Sequence, residues 1–253
     1  METNSRGRDR FPQAKIKKMI QYHPDFLAFD HTSTLVETLS ARIRKLLSES
    51  VHNKGHASLA VSGGTTPIPL FEALSHLDLE WDKVVVTLVD ERWVEITARD
   101  SNEYLVRRYL LKEKAVKARF IGMKTAEETA KAGEKACSQR LRGVPLPFDA
   151  LILGMGSDGH TASLFPGAKR LPAAVDAKPN RICINIKPQS APHERMTLTL
   201  PAILNSSRIF IFIRGEEKRS VYAKAVSKGP PDEMPIRHIL GQTKVPVSVY
   251  WAP

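Results

Sequence analysis

The sequence predicts an α/β fold, in which helices cover both faces of a Rossmann-like, mostly parallel sheet within a single domain. Short apolar runs alternate along the chain with segments of helical periodicity, which is the pattern of a sheet wound with helices. The runs are continuously apolar, as expected of strands buried on both faces. With 253 residues, 42% of them hydrophobic, the chain can bury a sheet of this kind.

The first quarter of the chain predicts two strands, each followed by a helix. Phe26–Phe29 is an apolar run, and helical spacing then recurs at Leu35, Leu39, Ile43 and Leu46. Thr32 or Ser33 is expected to cap that helix, since hydroxyl side chains accept hydrogen bonds from free N–H groups. Ser58–Val61 is a buried-type strand, and a helix through residues 70–74 follows its polar turn.

The middle of the chain repeats the alternation. Val84–Val89 is rich in valine, as strands are, and Asn102–Leu111 has helical spacing. Phe120–Ile121 belongs to a short strand, Ala126–Leu141 reads as a helix, and Ala150–Leu153 is a further apolar strand.

The last third adds the remaining predicted elements. Ile182–Ile186 and Thr197–Leu200 are strand candidates, and Ile209–Ile213 is a stronger one because it is wholly apolar. Glu216–Val226 follows as a helix, and Val247–Tyr250 as a last strand. No repeat or long linker interrupts the pattern, so residues 23–253 are expected to form one domain.

The charge of the chain points to an anionic partner. Lys and Arg total 38 against 27 Asp and Glu, a net charge of +11. Residues 1–22 carry part of this excess and are expected to form a basic, partly ordered tail. Among its cations lies only one aromatic residue, Phe11, which is not the repeated interleaving typical of base stacking and so argues against a nucleic-acid partner.

Other classes of protein are disfavoured by what the sequence lacks. It has no apolar stretch of membrane-spanning length, and its first residues lack the apolar core of a secretory signal. Cys137 and Cys183 are interpreted as reduced structural thiols of a cytoplasmic protein. Neither a CxxC nor an HExxH spacing occurs, so no metal and no cofactor are expected.

The first polar cluster follows the second predicted strand and precedes a helix. Two glycines allow a sharp turn, and the free N–H groups of a helix start favour an anion. Pro67 suits the first helical turn. The candidate phosphate-binding residues are Ser62, Gly63, Gly64, Thr65 and Thr66. A plain strand-to-helix turn is the alternative, and the pattern is not a Walker loop because it lacks G-K-[ST].

The second cluster, residues 154–160, matches G-x-G-x-x-G after a strand. A dinucleotide site is disfavoured because Pro166 leaves little room for the helix that would receive the pyrophosphate. A nucleophile elbow fails because the residues around Ser157 are not G-x-S-x-G. His160, in a glycine-rich turn, is the candidate general base. Asp158 either orients its imidazole or caps the turn.

Three cations adjoin predicted strands and could meet an anion. Arg92, in the cluster Asp90-Glu91-Arg92, is placed to face the cleft and stabilise a developing negative charge. Arg195 and Lys218 could neutralise a phosphate. Considered alone, Arg195 and Lys218 are better interpreted as surface charges, and an ordinary charged loop is the alternative for Arg92.

Taken together, these residues resemble the 6-phosphogluconolactonase family, which is related in fold to glucosamine-6-phosphate deaminase/isomerase. Six motifs in order carry the resemblance, from about Phe26 to the C-terminus: S-G-G-T-T-P (62–67), D-E-R-W-V (90–94), S-N-E-Y (101–104), G-M-G-S-D-G-H-T-A-S-L-F-P (154–166), E-R-M-T-L-T (194–199) and G-E-E-K (215–218). Glu95 stands where family members often have Pro, which leaves the shape of the following loop open.

The resemblance implies hydrolysis of 6-phospho-D-glucono-1,5-lactone to 6-phosphogluconate, the second step of the oxidative pentose phosphate pathway. It implies that His160 activates water, that Arg92 lies near the carbonyl, and that the glycine-rich turn holds the phosphate with Arg195 and Lys218. The partner is then a phosphorylated sugar lactone, bound by a monomer or small homo-oligomer.

Two alternatives stay open. The related deaminase has a catalytic Glu where this chain has Phe165, and an apolar ring cannot shuttle a proton. A nucleic-acid-binding protein is the other alternative, and it rests on charge alone.

Overall fold

A seven-stranded parallel sheet forms the centre of the computed structural model, which describes residues 24–189 and 191–253. The basic tail expected at 1–22 lies outside the described residues. Every pair of neighbouring strands in this sheet is parallel. In sheet order the strands are β1 (Asp25–Ala28), β10 (Val247–Ala252), β9 (Ile209–Arg214), β6 (Ala150–Leu153), β2 (Ala57–Val61), β3 (Val84–Leu88) and β5 (Arg119–Ile121).

The predicted fold class is confirmed, because the strands of this sheet are the continuous apolar runs. All residues of β2, β3 and β6 are buried, as are all but the last of β9. Such strands need cover on both faces, which helices supply. The apolar stripe of the first helix illustrates this cover, since Leu35, Leu39, Ile43 and Leu47 are fully buried.

A second, antiparallel sheet of three strands stands beside the first, and the sequence did not predict it. Its strands are, in order, β4 (Asp90–Arg92), β8 (Arg195–Leu198) and β7 (Cys183–Ile186). The last two were expected as strands, whereas Asp90–Arg92 was expected as a polar cluster after a strand. This strand was not predicted because its residues are charged, and charged residues are usually expected in exposed loops. Here the side chains of Asp90 and Glu91 accept hydrogen bonds from other elements.

Eight α-helices connect the strands in the described ranges: α1 (Thr32–Lys54), α2 (Ile68–Ser75), α3 (Asn102–Tyr109), α4 (Ala130–Leu141), α5 (Leu171–Val175), α6 (Leu200–Ile203), α7 (Glu216–Val226) and α8 (Arg237–Leu240). The predicted cap of α1 is wrong, since His31 occupies the cap position and makes no side-chain hydrogen bond there. Helix α4 begins four residues later than predicted, because the Thr129 hydroxyl accepts the N–H of Ala132 and starts the helix there.

Both cysteines are buried and free, as predicted. Cys137 lies on α4 and Cys183 on β7, two elements that pack together. Among the described helices, none is both long and apolar enough to cross a bilayer.

Candidate active site

Four adjacent strands at the centre of the large sheet end at one cleft. Strands β9, β6, β2 and β3 are neighbours and parallel, so their carboxyl ends lie at the same edge. Each is followed by one of the polar clusters singled out in the sequence. The cleft between them has a volume of about 370 Å³, and its lining includes residues of all four clusters. Topology therefore brings together motifs that are far apart in the chain.

The glycine-rich turn after β2 forms one wall of this cleft. Residues 62–67 all line it, in agreement with their expected placement. Ser62 is buried, and its N–H donates to the Ile152 carbonyl at 3.1 Å, which ties the turn to β6. Gly64 has a φ of +90°, a conformation that favours glycine. Pro67 directly precedes α2 rather than lying in its first turn, so the turn and the helix start are continuous.

His160 lies in the tight turn that follows β6. Its Nδ1 is 2.6 Å from the Asp158 Oδ1, and its backbone N–H donates to the same oxygen at 3.0 Å. The imidazole folds over Gly156, where an added Cβ would lie 2.1 Å from Nδ1. Asp158 thus both orients the ring and closes the turn. The glycine is required by this close approach.

The charge state of Asp158 follows from these contacts. Burial alone would raise its pKa, but the hydrogen bonds and charge of His160 lower it below the usual value. Asp158 is therefore a carboxylate whose Oδ1 accepts hydrogen bonds from both His160 donors. Nδ1 then carries the ring proton, and Nε2 is left as the basic nitrogen.

Phe165 packs against the imidazole. The two ring centroids are 4.2 Å apart with an interplanar angle of 27°, and the phenyl ring is buried. The Arg195 guanidinium lies 6.0 Å from the centroid of the same ring. The sequence identified Phe165 only as a residue that replaces a glutamate. The structure adds that its ring stacks on the imidazole of His160.

Arg92 and Arg195 face one another across two strands, since they are register partners in the β4–β8 pair. Both line the cleft. Each is held by a backbone carbonyl: the Arg92 guanidinium donates to Asp100 at 2.6 Å, and that of Arg195 to Pro192 at 3.1 Å. Burial, and then the positive charge of Arg92, lower the pKa of Arg195.

Lys218 reaches the cleft from a different element. It lies in the first turn of α7, which begins directly after β9 and Gly215. The turn is anchored because the Trp251 indole N–H donates to the Gly215 carbonyl at 2.9 Å. The three cations predicted from the sequence thus converge on one cleft from three elements.

Four polar residues of the cleft lining, Asp90, Asn102, Thr161 and Arg214, were not among the predicted site residues. The Asp90 Oδ2 accepts a hydrogen bond from the Ser163 hydroxyl at 2.7 Å, and the Asn102 Nδ2 donates to the Asp90 carbonyl at 2.8 Å. Asp90 and Asn102 both line the cleft. Asp90 lies in the motif D-E-R-W-V and Asn102 in the motif S-N-E-Y, but neither motif indicated that these two residues would contact one another.

Glu91 lies behind these residues and is fully buried. It accepts the N–H groups of Arg92, Asn102 and Glu103, at 2.7, 2.7 and 2.8 Å, and the Ser101 hydroxyl at 3.1 Å. Burial raises its pKa to about 7 against these hydrogen bonds, which lower it. One side chain thus joins β4 to the start of α3.

The dinucleotide site considered from the sequence finds little support in the described residues. After Gly159 the chain forms turns, and the next helix, α5, begins at Leu171, so no helix start meets the G-x-G-x-x-G turn. Within residues 24–189 and 191–253, no cluster of three or more His, Cys, Asp or Glu side chains has the arrangement of a metal site.

Comparisons with known proteins give a consistent relationship. The model of a family described as glucosamine-6-phosphate isomerases/6-phosphogluconolactonase matches residues 30–251. A 6-phosphogluconolactonase of Rhizobium meliloti (strain 1021) is 41% identical over 225 residues, 89% of this chain and 97% of that protein. The crystal structure of a 6-phosphogluconolactonase from Shewanella baltica OS155 superposes with a TM-score of 0.90 at 44% identity, covering 92% and 99% of the two chains. A monomeric glucosamine-6-phosphate deaminase shares the fold, with a TM-score of 0.73 at 17% identity over 90% of this chain and 97% of that one.

Proposed function

Because the chain belongs to the glucosamine-6-phosphate isomerase/6-phosphogluconolactonase family, we propose that it hydrolyses 6-phospho-D-glucono-1,5-lactone to 6-phosphogluconate in the oxidative pentose phosphate pathway. Its relatives at 41% and 44% identity are 6-phosphogluconolactonases. The observation that carries the mechanism is the His160–Asp158 pair in a cleft whose lining includes the cations Arg92, Arg195 and Lys218. A base and an anion site are what hydrolysis of a phosphorylated lactone requires.

His160 acts as the general base. A δ-lactone is an activated ester, so water can attack its carbonyl without a covalent nucleophile. Nε2 takes a proton from the water as the C–O bond forms, and the imidazolium is stabilised by the Asp158 carboxylate. The ring C–O bond then breaks, and His160 returns the proton to the leaving oxygen. The product is the open-chain acid, which ionises to the carboxylate.

Arg92 stabilises the tetrahedral oxyanion. A preorganised guanidinium needs little reorganisation when charge develops on the carbonyl oxygen. Arg92 is preorganised, since its Nη1 is held by the Asp100 carbonyl, and it lines the cleft with His160. This role stays a proposal that the geometry supports.

The 6-phosphate binds at the glycine-rich turn between Arg195 and Lys218. The turn leads directly into α2, and the positive end of the helix dipole favours an anion there. Lys218 and Arg195 approach from α7 and β8, so the phosphate would be contacted from several sides. Binding energy from this remote group positions the carbonyl over the base.

The deaminase reaction is the second candidate, and the position of Phe165 disfavours it. The ring packs on His160, where a proton-transferring carboxylate would be required. A nucleic-acid partner also stays disfavoured, because Arg92, Arg195 and Lys218 converge on a cleft whose size suits a small molecule. We further propose the cytoplasm as the compartment, since both buried thiols are free.

The mechanism is tested by His160→Ala, with Lys218→Ala as the matched control. Fresh lactone decay is followed with and without enzyme, because the lactone also hydrolyses spontaneously. We expect kcat to fall by about 10²–10⁴ in His160→Ala. Lys218→Ala should chiefly raise KM and weaken binding of 6-phosphogluconate. An unchanged kcat in His160→Ala refutes the base assignment, and ammonia release from glucosamine 6-phosphate would favour the deaminase.

A further inference from the structure

Asn102 is a buried polar side chain of the cleft that has no role in the proposed hydrolysis. It is 1% exposed and lines the cleft, yet within the described residues its Oδ1 has no hydrogen-bond partner. Buried acceptors in proteins are nearly always paired, so an unpaired one beside a binding site points to a ligand. The amide orientation is fixed by its other end, because Nδ2 must face the Asp90 carbonyl, which only accepts.

The Oδ1 lies directly over the glycine-rich turn. A Cβ added at Gly63 would lie 1.8 Å from this oxygen, so the amide occupies the space that a side chain there would take. Asn102 is also rigidly held, since its backbone N–H donates to Glu91 at 2.7 Å. An acceptor is thus fixed at the phosphate-binding wall of the cleft.

We propose that the Asn102 Oδ1 accepts a hydrogen bond from the 4-hydroxyl of the sugar lactone, and so makes Asn102 a specificity-determining residue. The inference rests on the proposed function. The turn that holds the 6-phosphate contacts this amide, and the 4-hydroxyl is the ring hydroxyl nearest the phosphate along the carbon chain. A hydroxyl is also the group that can donate to a neutral acceptor without adding charge beside Asp90.

The structural alternative is that Asn102 only joins β4 to α3. Loss of that connection would weaken activity on every substrate by the same factor. Loss of a hydrogen bond to one hydroxyl would act only on substrates that carry it. The two roles are therefore separated by measuring how each variant depends on a single hydroxyl.

The experiment compares kcat/KM for three lactones: the parent 6-phosphogluconolactone, its 4-deoxy analogue and its 2-deoxy analogue. In the wild type, removal of the 4-hydroxyl leaves Oδ1 unpaired, and we expect a loss of about tenfold to a hundredfold. In Asn102→Ala that loss should shrink to less than about threefold, because no acceptor remains. The effect of removing the 2-hydroxyl should be the same in both proteins.

Two further variants control for folding. Asn102→Asp keeps an oxygen at the same place, so it should lose activity on all substrates and still discriminate against the 4-deoxy lactone. Ser101→Ala weakens the start of α3 from outside the cleft, since its hydroxyl accepts the Tyr104 N–H and donates to Glu91. It should retain the discrimination of the wild type.

The outcomes distinguish this inference from the proposed function. Equal losses in Asn102→Ala on all three lactones refute it, as does a change in dependence on the 2-hydroxyl instead of the 4-hydroxyl. A wild-type protein that accelerates hydrolysis of none of the lactones refutes the proposed function, and this inference with it.

Discussion

Replacing Glu91 with glutamine should remove a pH dependence of stability that the fold itself creates. Glu91 is fully buried between β4 and α3, and its pKa is raised from 4.5 to about 7. Glutamine has nearly the same shape as the protonated acid and cannot ionise. The difference between the two proteins therefore isolates the free energy of ionising this one carboxyl group.

The sign of the effect follows from proton linkage. Between pH 4.5 and pH 7 the unfolded chain has lost the Glu91 proton, while the folded chain retains it. The folded state binds more protons in this window, so stability falls as the pH rises. The contribution is fully present below pH 4.5 and is lost as the pH passes through about 7. A pKa shift of this size changes the free energy of unfolding by about 3 kcal/mol.

The assay is urea unfolding of wild type and Glu91→Gln at pH 4.5, 6, 7 and 8. Glu91→Gln is expected to be less stable at pH 4.5 by a fixed amount, because its amide cannot accept all the hydrogen bonds. That deficit should shrink by about 3 kcal/mol towards pH 8. Glu49→Gln, an exposed change of the same chemistry on α1, should follow the wild type at every pH. A deficit in Glu91→Gln that is constant with pH, or that grows, contradicts the reasoning.

Two further predictions concern the imidazole of His160. Asp158→Asn removes the charge that pairs with Nδ1 at 2.6 Å, and hydrogen bonds to charged groups contribute about 1.5–3 kcal/mol. Its kcat on fresh lactone should fall about tenfold to a hundredfold with KM little changed, and a change in KM alone would assign Asp158 to binding. Phe165→Leu removes the ring stacked at 4.2 Å, a contact typically worth about 0.5–1.5 kcal/mol. Its kcat should fall about threefold to tenfold, and wild-type kcat would show that the stack does not position the base.

The large sheet could be predicted because its signal is local and continuous. Each of its strands is an apolar run, and burial on both faces leaves no polar alternation to confuse the pattern. Strand β4 could not be predicted in this way. Its residues Asp90 and Glu91 are buried at 7% and 0% exposure, but only because α3 and Ser163 provide hydrogen-bond donors. Those donors lie more than ten residues away in the chain. The local sequence around Asp90 and Glu91 therefore does not show that their carboxylates will be paired and buried.

The site residues also fall into those that local sequence could predict and those that depend on distant contacts. The turn containing His160 could be found because Asp158, the base and their glycines lie within a few residues. Asn102 could not be assigned a role from the sequence, because the relevant observation is its close approach to Gly63. That approach exists only because α3 packs against the turn after β2. A motif without an assigned role, such as S-N-E-Y, was the available signal. Contacts between distant motifs require the folded structure.

The placement of a few cations says more about the ligand than the net charge of +11 does. Elsewhere in the fold, cations pair with carboxylates: Lys54 pairs with the buried Asp149 carboxylate at 2.8 Å, and Arg181 pairs with Glu134 at 2.8 Å. In the cleft, Arg92 and Arg195 are oriented by carbonyl oxygens, and among the described residues neither has a carboxylate within 4.0 Å. Like charges opposite one another in a sheet are unfavourable. A carbonyl fixes a guanidinium without cancelling its charge, so the positive field stays available to an anion that enters the cleft, and the repulsion between the two arginines is relieved when that anion binds.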